Sequence, residues 1–294
     1  MQISKTIRSL ILAVGVGVAA PAVHADQFLN FGQMGAPNSF AFESYPTVTR
    51  SDGKTSLWTT NILAYFTKTG LTGTNRDQFE FWGGGAAGYS KAAEGGQGHS
   101  WGFSAPTVGA EYYYNIVQPS STCLTCEGYS IWTISPYVTV TFPTGSKDNT
   151  GFSAFSNNFT YYATLTNYVR VGNWTVSFAP VSVAYSTAAR NATEVQPGVF
   201  ENLRGGVSWT LADITAGYNI NSNWAVGLHH VLRLNNQSAS SFEPSRQAFI
   251  GPAVSYMGFA KHGLFLFGNV NFNYAHSGNI KTAPYASFVL VKYL

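Results

Sequence analysis

Cys123 and Cys126, the two cysteines of the chain, stand in SSTCLTCEGYS, a spacing used for redox exchange, zinc or a disulfide. A zinc site needs further ligands at suitable spacing, and no second cluster accompanies this pair. A thioredoxin-like motif needs a strand–helix setting that is missing here. In an exported protein the pair reads as a small disulfide tying off a loop. So short a ring adds little entropy-based stability. The Gly-rich FWGGGAAGY, Phe81 to Tyr89, lacks the Lys-Ser/Thr of a phosphate-binding loop. In a strand it permits close approach, a kink or room for a plug.

His229 and His230 are adjacent. Hydrolysis by a His–Ser pair needs an orienting third group and an oxyanion donor, and serines are abundant enough for a match by chance. Neighbours on a strand point to opposite faces, so the two imidazoles cannot act together. One is expected inside and the other at an outer boundary. Asp213 alternates with Trp209, Leu211, Thr215, Gly217 and Asn219. It reads as a polar constriction or a partner for Arg170, Arg204 or Arg233, against a plain solvated charge. Asn269, Asn271 and Asn273 share one face of a strand, a costly arrangement in a dry core.

These residues need elements to place them, and the elements read as strands. In NNFTYYATLTNYVRVG one alternate set is Phe159, Tyr161, Ala163, Leu165, Asn167, Val169 and Val171. The other is Thr160, Tyr162, Thr164, Thr166, Tyr168 and Arg170. Similar segments recur at Leu57–Phe66, Gln78–Tyr89, Phe103–Ile116, Ser130–Phe142, Trp174–Tyr185, Val207–Ile220, Trp224–Leu234, Arg246–Tyr256, Leu264–Tyr274 and Tyr285–Tyr293. Each is near the roughly 9–11 residues that cross a bilayer as a tilted strand. Single-chain barrels of bacteria normally have even strand numbers. One more strand is therefore expected in Gln27–Val48, unless that stretch folds inward as a plug. Short turns fall at Val171–Thr175 and Asn219–Ala225. Longer polar connections fall at Thr67–Asp77, Ser90–Ser100, Thr144–Asn157, Thr187–Arg204 and Asn235–Ser245.

Composition decides which medium meets each face. Lys5 and Arg8 precede an apolar run from Leu10 to Val23, and Val23-His24-Ala25 suits a signal peptidase. Residues 1–25 read as a cleaved secretory signal, with the mature chain starting at Asp26. The run is shorter than the roughly 20 residues of a spanning helix. Removing it leaves 14 basic against 13 acidic residues, a net of +1, with no basic patch for nucleic acid. Charged residues are 10 % of the chain, against roughly 25 % in soluble domains, and aromatics are 15 %. Such a chain shows most of its surface to something other than water. The polar sets then face a wet lumen, and the apolar sets, edged by Trp and Tyr, face lipid. The competing arrangement is a soluble β-sandwich.

FPTGS (Phe142–Ser146), WTLADITAGYNINSNWAVGL (Trp209–Leu228), RQAFIGPAVSYM (Arg246–Met257) and PTVGAEYYY (Pro106–Tyr114) resemble the outer-membrane transporter family named for the MetA pathway of phenol degradation. The resemblance runs roughly from Leu57 to Leu294. It implies an outer-membrane barrel of about twelve strands that passes small hydrophobic or aromatic compounds. The family's acidic strand residue falls on Asp213, its Gly-Pro turn on Gly251-Pro252 and its Pro-Thr-Gly turn on Pro143-Thr144-Gly145. The chain departs from outer-membrane barrels at its end, SFVLVKYL, where Leu294 replaces the usual Phe and Lys292 shares its face.

The expected fold is all-β: a transmembrane antiparallel β-barrel of about 12 strands over residues 51–294. Residues 26–50 form the first strand or a plug. Thr160, Tyr162, Thr164, Tyr168, Arg170, Asp213, His229, Arg233, Asn269, Asn271 and Asn273 are expected to line the lumen, with Phe265 and Phe267 beside them. The expected partners are outer-membrane lipid and a small hydrophobic or aromatic solute. No cofactor, metal or nucleic acid is implied. The alternatives are an outer-membrane lipid hydrolase and a non-conducting structural or adhesive barrel.

Overall fold

The computed structural model describes residues 27–31, 40–51, 55–91, 99–103, 106–120, 129–143, 159–188, 193–196, 199–201, 205–235, 245–277 and 284–293. Cys123, Cys126, Arg204 and the signal segment 1–25 lie outside them. The strands are β1 (Phe40–Ser51), β2 (Thr55–Thr69), β3 (Asp77–Lys91), β4 (His99–Phe103), β5 (Thr107–Val117), β6 (Ser130–Thr141), β7 (Thr160–Val171) and β8 (Trp174–Ser186). They continue as β9 (Thr193–Gln196), β10 (Val199–Glu201), β11 (Gly206–Asn219), β12 (Trp224–Asn235), β13 (Ser245–Tyr256), β14 (Leu264–Ser277) and β15 (Tyr285–Tyr293).

Thirteen of these form one sheet of sequential antiparallel neighbours. It closes on itself where β1 pairs β15, from Ala41↔Tyr293 to Thr49↔Tyr285. β4 pairs the far half of β3, with Ala87↔Phe103, and β5 pairs the near half, with Gly84↔Thr107. The two share one position, so the described ring has twelve staves. β9 and β10 form a separate hairpin between β8 and β11.

Burial runs inside out relative to a soluble sheet. On β6, Ile131, Thr133, Ser135, Tyr137 and Thr139 are buried, while Trp132, Pro136 and Val138 are exposed. Among the described residues 27 polar or charged side chains are buried against 20 hydrophobic ones. A sandwich core would reverse that ratio. Exposed Trp132, Trp174, Tyr218 and Trp224 form a girdle near the short turns, and Tyr161, Tyr185, Trp209 and Tyr274 form one near the other rim. Apolar residues such as Leu165, Val181, Ile214 and Leu228 are exposed between them. Trp174 and Tyr185 are eleven steps apart on β8. At ~3.3 Å per step and a tilt of ~40° they bracket about 28 Å of height, close to the apolar band of an outer-membrane barrel.

Several expectations need correction. The N-terminal stretch is not a choice between strand and plug: residues 40–51 form β1, and Gln27–Asn30 lie buried inside the ring with Phe31 partly buried beside them. The connection between β2 and β3, residues 70–76, belongs to the short-turn end, because β2 runs toward the end where β7 meets β8. Its Thr72 N–H and the Tyr112 hydroxyl donate to Oδ2 of Asp77, at 2.9 and 3.0 Å. Gly251-Pro252 is no turn but lies inside β13. Trp209 and Leu211 do not share the face of Asp213. The register slips between Leu211 and Ile214, and Ala212 takes φ 48°. The bulge puts Trp209 outside and both Thr210 and Asp213 inside.

Candidate functional site

The bulge in β11 aims Asp213 at the lumen, where it is 3 % exposed. From β12, His229 presents Nε2 to Oδ1 of Asp213 at 2.9 Å and Nδ1 to Oδ1 of Asn271 at 2.6 Å. Asn271 belongs to β14, so the imidazole must reach over β13. It crosses at Gly251, the residue paired with His229. A Cβ there would fall on the Val270 carbonyl oxygen. Pro252 has no N–H to give, and the β13–β14 pairing skips from Ile250↔Phe272 to Ala253↔Asn269. One histidine thus ties β11, β12 and β14 together across a stretch of β13 that carries no side chain at Gly251.

The same cluster holds the N-terminal segment. Gln27 N–H donates to Oδ1 of Asp213 at 3.2 Å. Its carbonyl accepts from Nδ2 of Asn269 at 3.1 Å and from the Thr215 hydroxyl. Nδ2 of Asn30 donates to Oδ1 of Asn219 at 2.8 Å and to Oγ of Ser255 at 3.1 Å, while the Tyr168 hydroxyl donates to Oδ1 of Asn30 at 3.2 Å. The Ser177 hydroxyl donates to the Phe31 carbonyl at 2.8 Å. Asn30 turns the segment with φ 60°, and Leu29 packs with Ala225 and Ala253. The segment is a plug whose backbone polar groups are met by β8, β11 and β14, with the Asn30 side chain adding β7 and β13.

Two further groups were not singled out from the sequence, Tyr162 apart. Glu111 on β5 is paired with Glu80 on β3, both on the inner face. Like charges directly opposed are unfavourable. Hydroxyls compensate: Ser135 donates to Oε1 of Glu111 at 2.6 Å and Tyr113 to Oε2 at 2.9 Å, with Thr166 3.4 Å from Oε1. The only sequence signal was Glu111 alternating with Tyr113 and Asn115. The second group is aromatic. The Trp82 indole lies over Gly109, where a Cβ would collide with the ring. It stacks on Tyr137 at 5.8 Å and 18°, and Tyr137 meets Tyr162 edge-on at 5.8 Å.

The expected lumen residues therefore divide. Tyr168, Asp213 and Asn269 bond the plug, and His229 and Asn271 are linked to it through Asp213. Tyr162 joins the aromatic wall. Thr160 and Thr164 contact Ser186 and Ser182 across β7–β8, at 3.1 and 2.7 Å. Buried Arg170 donates from Nε to the Gly172 carbonyl at 2.9 Å, with its guanidinium 5.4 Å from the Tyr129 ring centre. The Arg233 guanidinium lies 5.4 Å from the Phe249 ring centre. Asn273 bonds the Ala275 carbonyl at 3.1 Å. His230 faces outward, against the Ala212 carbonyl at 3.0 Å and the Tyr274 hydroxyl at 2.8 Å. It thereby satisfies the carbonyl turned out by the bulge. No nucleophile elbow was expected, yet the letters Gly98-His99-Ser100-Trp101-Gly102 spell a G-x-S-x-G pattern. Ser100 sits within β4, paired with Ser90, rather than on a strand-to-helix elbow.

No protein-family model and no curated protein matches the chain. Among solved structures it resembles an outer membrane channel from Pseudomonas putida F1, with TM-score 0.64 and 12 % identity over 90 % of this chain and 98 % of that one. Weaker likenesses, on which nothing rests, include the transport unit of the autotransporter AIDA-I from Escherichia coli (TM-score 0.49, 10 % identity, 98 % of this chain and 99 % of that one). The translocator domain of the autotransporter NalP from Neisseria meningitidis is similar at TM-score 0.46 and 8 % identity, over 98 % and 99 % of the two chains. The first match is one of fold: the chain folds as an outer-membrane β-barrel of the Gram-negative kind.

Proposed function

We propose that this chain is a passive channel of a Gram-negative outer membrane that admits small hydrophobic or aromatic compounds, as the resemblance to the phenol-pathway transporters implies. The observation that carries the reading is the aromatic lining: Trp82, Tyr137, Tyr162, Phe265 and Phe267 turn toward the interior of a barrel whose outer face is already apolar. An apolar solute gains roughly 25 cal/mol for each Å² it buries against such a wall. A purely polar solute gains nothing there. The fold likeness to an outer membrane channel agrees with this. A hydrolase is less well supported, because both ring nitrogens of His229 are engaged by Asp213 and Asn271 rather than left for a serine.

The plug bonds strands near the short-turn end, so passage requires it to shift. Planar-bilayer recording of refolded residues 26–294 and of a chain lacking residues 26–31 tests the reading, paired with vesicle flux of phenol and of a sugar of similar size. The expected result is rare openings in the first protein, frequent ones in the second, and phenol flux exceeding sugar flux in both. A folded, plug-free barrel that stays silent and passes neither solute faster than protein-free vesicles do overturns it.

A further inference from the structure

The plug is held by its backbone and by Asn30, but its Phe28 ring makes no polar contact. That ring is 2 % exposed and belongs to one apolar cluster. The cluster takes Trp82, Tyr137 and Tyr162 from β3, β6 and β7, and Phe267, Val289 and Val291 from β14 and β15. Phe28 belongs to neither wall. It lies 6.3 Å from Phe267 and 6.1 Å, edge-on, from Phe31, which meets Phe267 edge-on at 5.5 Å. We propose that the aromatic slot holding Phe28 is a binding site for a neutral aromatic ring, and that the plug is a tethered competitor for it. The inference rests on the channel reading and names the site within it.

The chemistry of the walls sets the ligand class. Flat π faces spaced for edge-on and stacked contacts accept a six-membered ring. Glu111 is the cross-strand partner of Tyr137, so a carboxylate-bearing ring would meet a like charge. Gly109 gives the Trp82 indole its seat, which keeps that face of the slot flat. A site filled by its own chain shows an apparent affinity reduced by the fraction of molecules whose plug is out. Removing the Phe28 ring removes the competitor while the backbone bonds of Gln27 and Phe31 remain.

The test measures binding of fluorobenzene by ¹⁹F line broadening to mature protein in lipid nanodiscs, where partition into lipid is common to all variants. Phe28→Ala should bind about 10-fold tighter than the parent. In a background with Cys123→Ser and Cys126→Ser, Asn30→Cys with Ser255→Cys allows the plug to be locked by oxidation. Locking should abolish binding to the Phe28-containing barrel and leave it intact in Phe28→Ala. Within Phe28→Ala, Trp82→Ala or Tyr162→Leu should remove the tight binding, each variant first shown to fold by its heat-modifiable migration. Equal affinity of the parent and Phe28→Ala, or tight binding that survives both wall substitutions, overturns the slot. Binding without phenol flux would sink the channel reading alone, and flux without slot binding would sink the slot alone.

Discussion

His229 is one side chain that spans from β11 to β14, and its removal should be felt on both sides. His229→Ala leaves a buried Asp213 carboxylate and Asn271 amide short of a partner. A group left so costs about 1–3 kcal/mol. The plug shares Asp213 through Gln27, so the same change should raise the frequency of channel opening. His230→Ala should cost about 1 kcal/mol, since it strips one bond from the Ala212 carbonyl outside the lumen. Opening should then be unaltered. Thermal melts with single-channel records on the two variants check the contrast, and equal effects on opening would refute a role of His229 in holding the plug. Gly251 is the residue-scale counterpart. Gly251→Ala places a methyl on the Val270 carbonyl, backbone that cannot swing away. The expected outcome is a fall in the yield of heat-modifiable barrel, with Gly251→Ser no better.

At the scale of elements, alternation was legible because a strand in a barrel wall meets two different media. The set Thr160 to Arg170 and the set Phe159 to Val171 could be separated by chemistry alone, as could the outward turn of His230. What alternation cannot reveal is where it slips. The bulge at Leu211–Ala212 reverses the faces of Trp209 and Thr210 with no Gly or Pro to mark it. The plug was equally hidden, since five residues bonded to distant strands carry no period. Glu80 and Glu111 were passed over because their pairing exists only across β3 and β5. Prolines left a clearer trace than was read. Pro136 sits where the β5–β6 ladder skips from Glu111↔Tyr137 to Tyr114↔Ile134. Pro180 sits where β7–β8 skips from Thr164↔Ser182 to Asn167↔Phe178. A proline gives the ladder no donor. Pro136→Val should restore a bond worth about 1 kcal/mol. The check is protection of the new residue-136 amide against exchange and a higher urea midpoint; an unprotected amide there would show that the skip has another cause.

At the scale of the whole molecule, the decisive property is which face is wet. A barrel of this kind buries hydroxyls, amides and acids and exposes valine, leucine and phenylalanine, so its stability depends on lipid rather than on a dry core. The two aromatic girdles predict how that dependence varies with height. Ile214 lies on β11 about midway between Trp209 and Tyr218, and all three are exposed on the outer face. Arginine at a bilayer midplane costs a barrel about 2–4 kcal/mol, falling to about 0–1 kcal/mol at the interface. Ile214→Arg should therefore destabilise the barrel far more than Tyr218→Arg, four residues away on the same strand. Urea unfolding from phospholipid vesicles measures both. A water-facing strand would tolerate the two arginines alike, because solvent screens either charge. Equal, small losses would therefore contradict the membrane-spanning arrangement, whereas a steep difference along a single strand locates the hydrocarbon between the girdles.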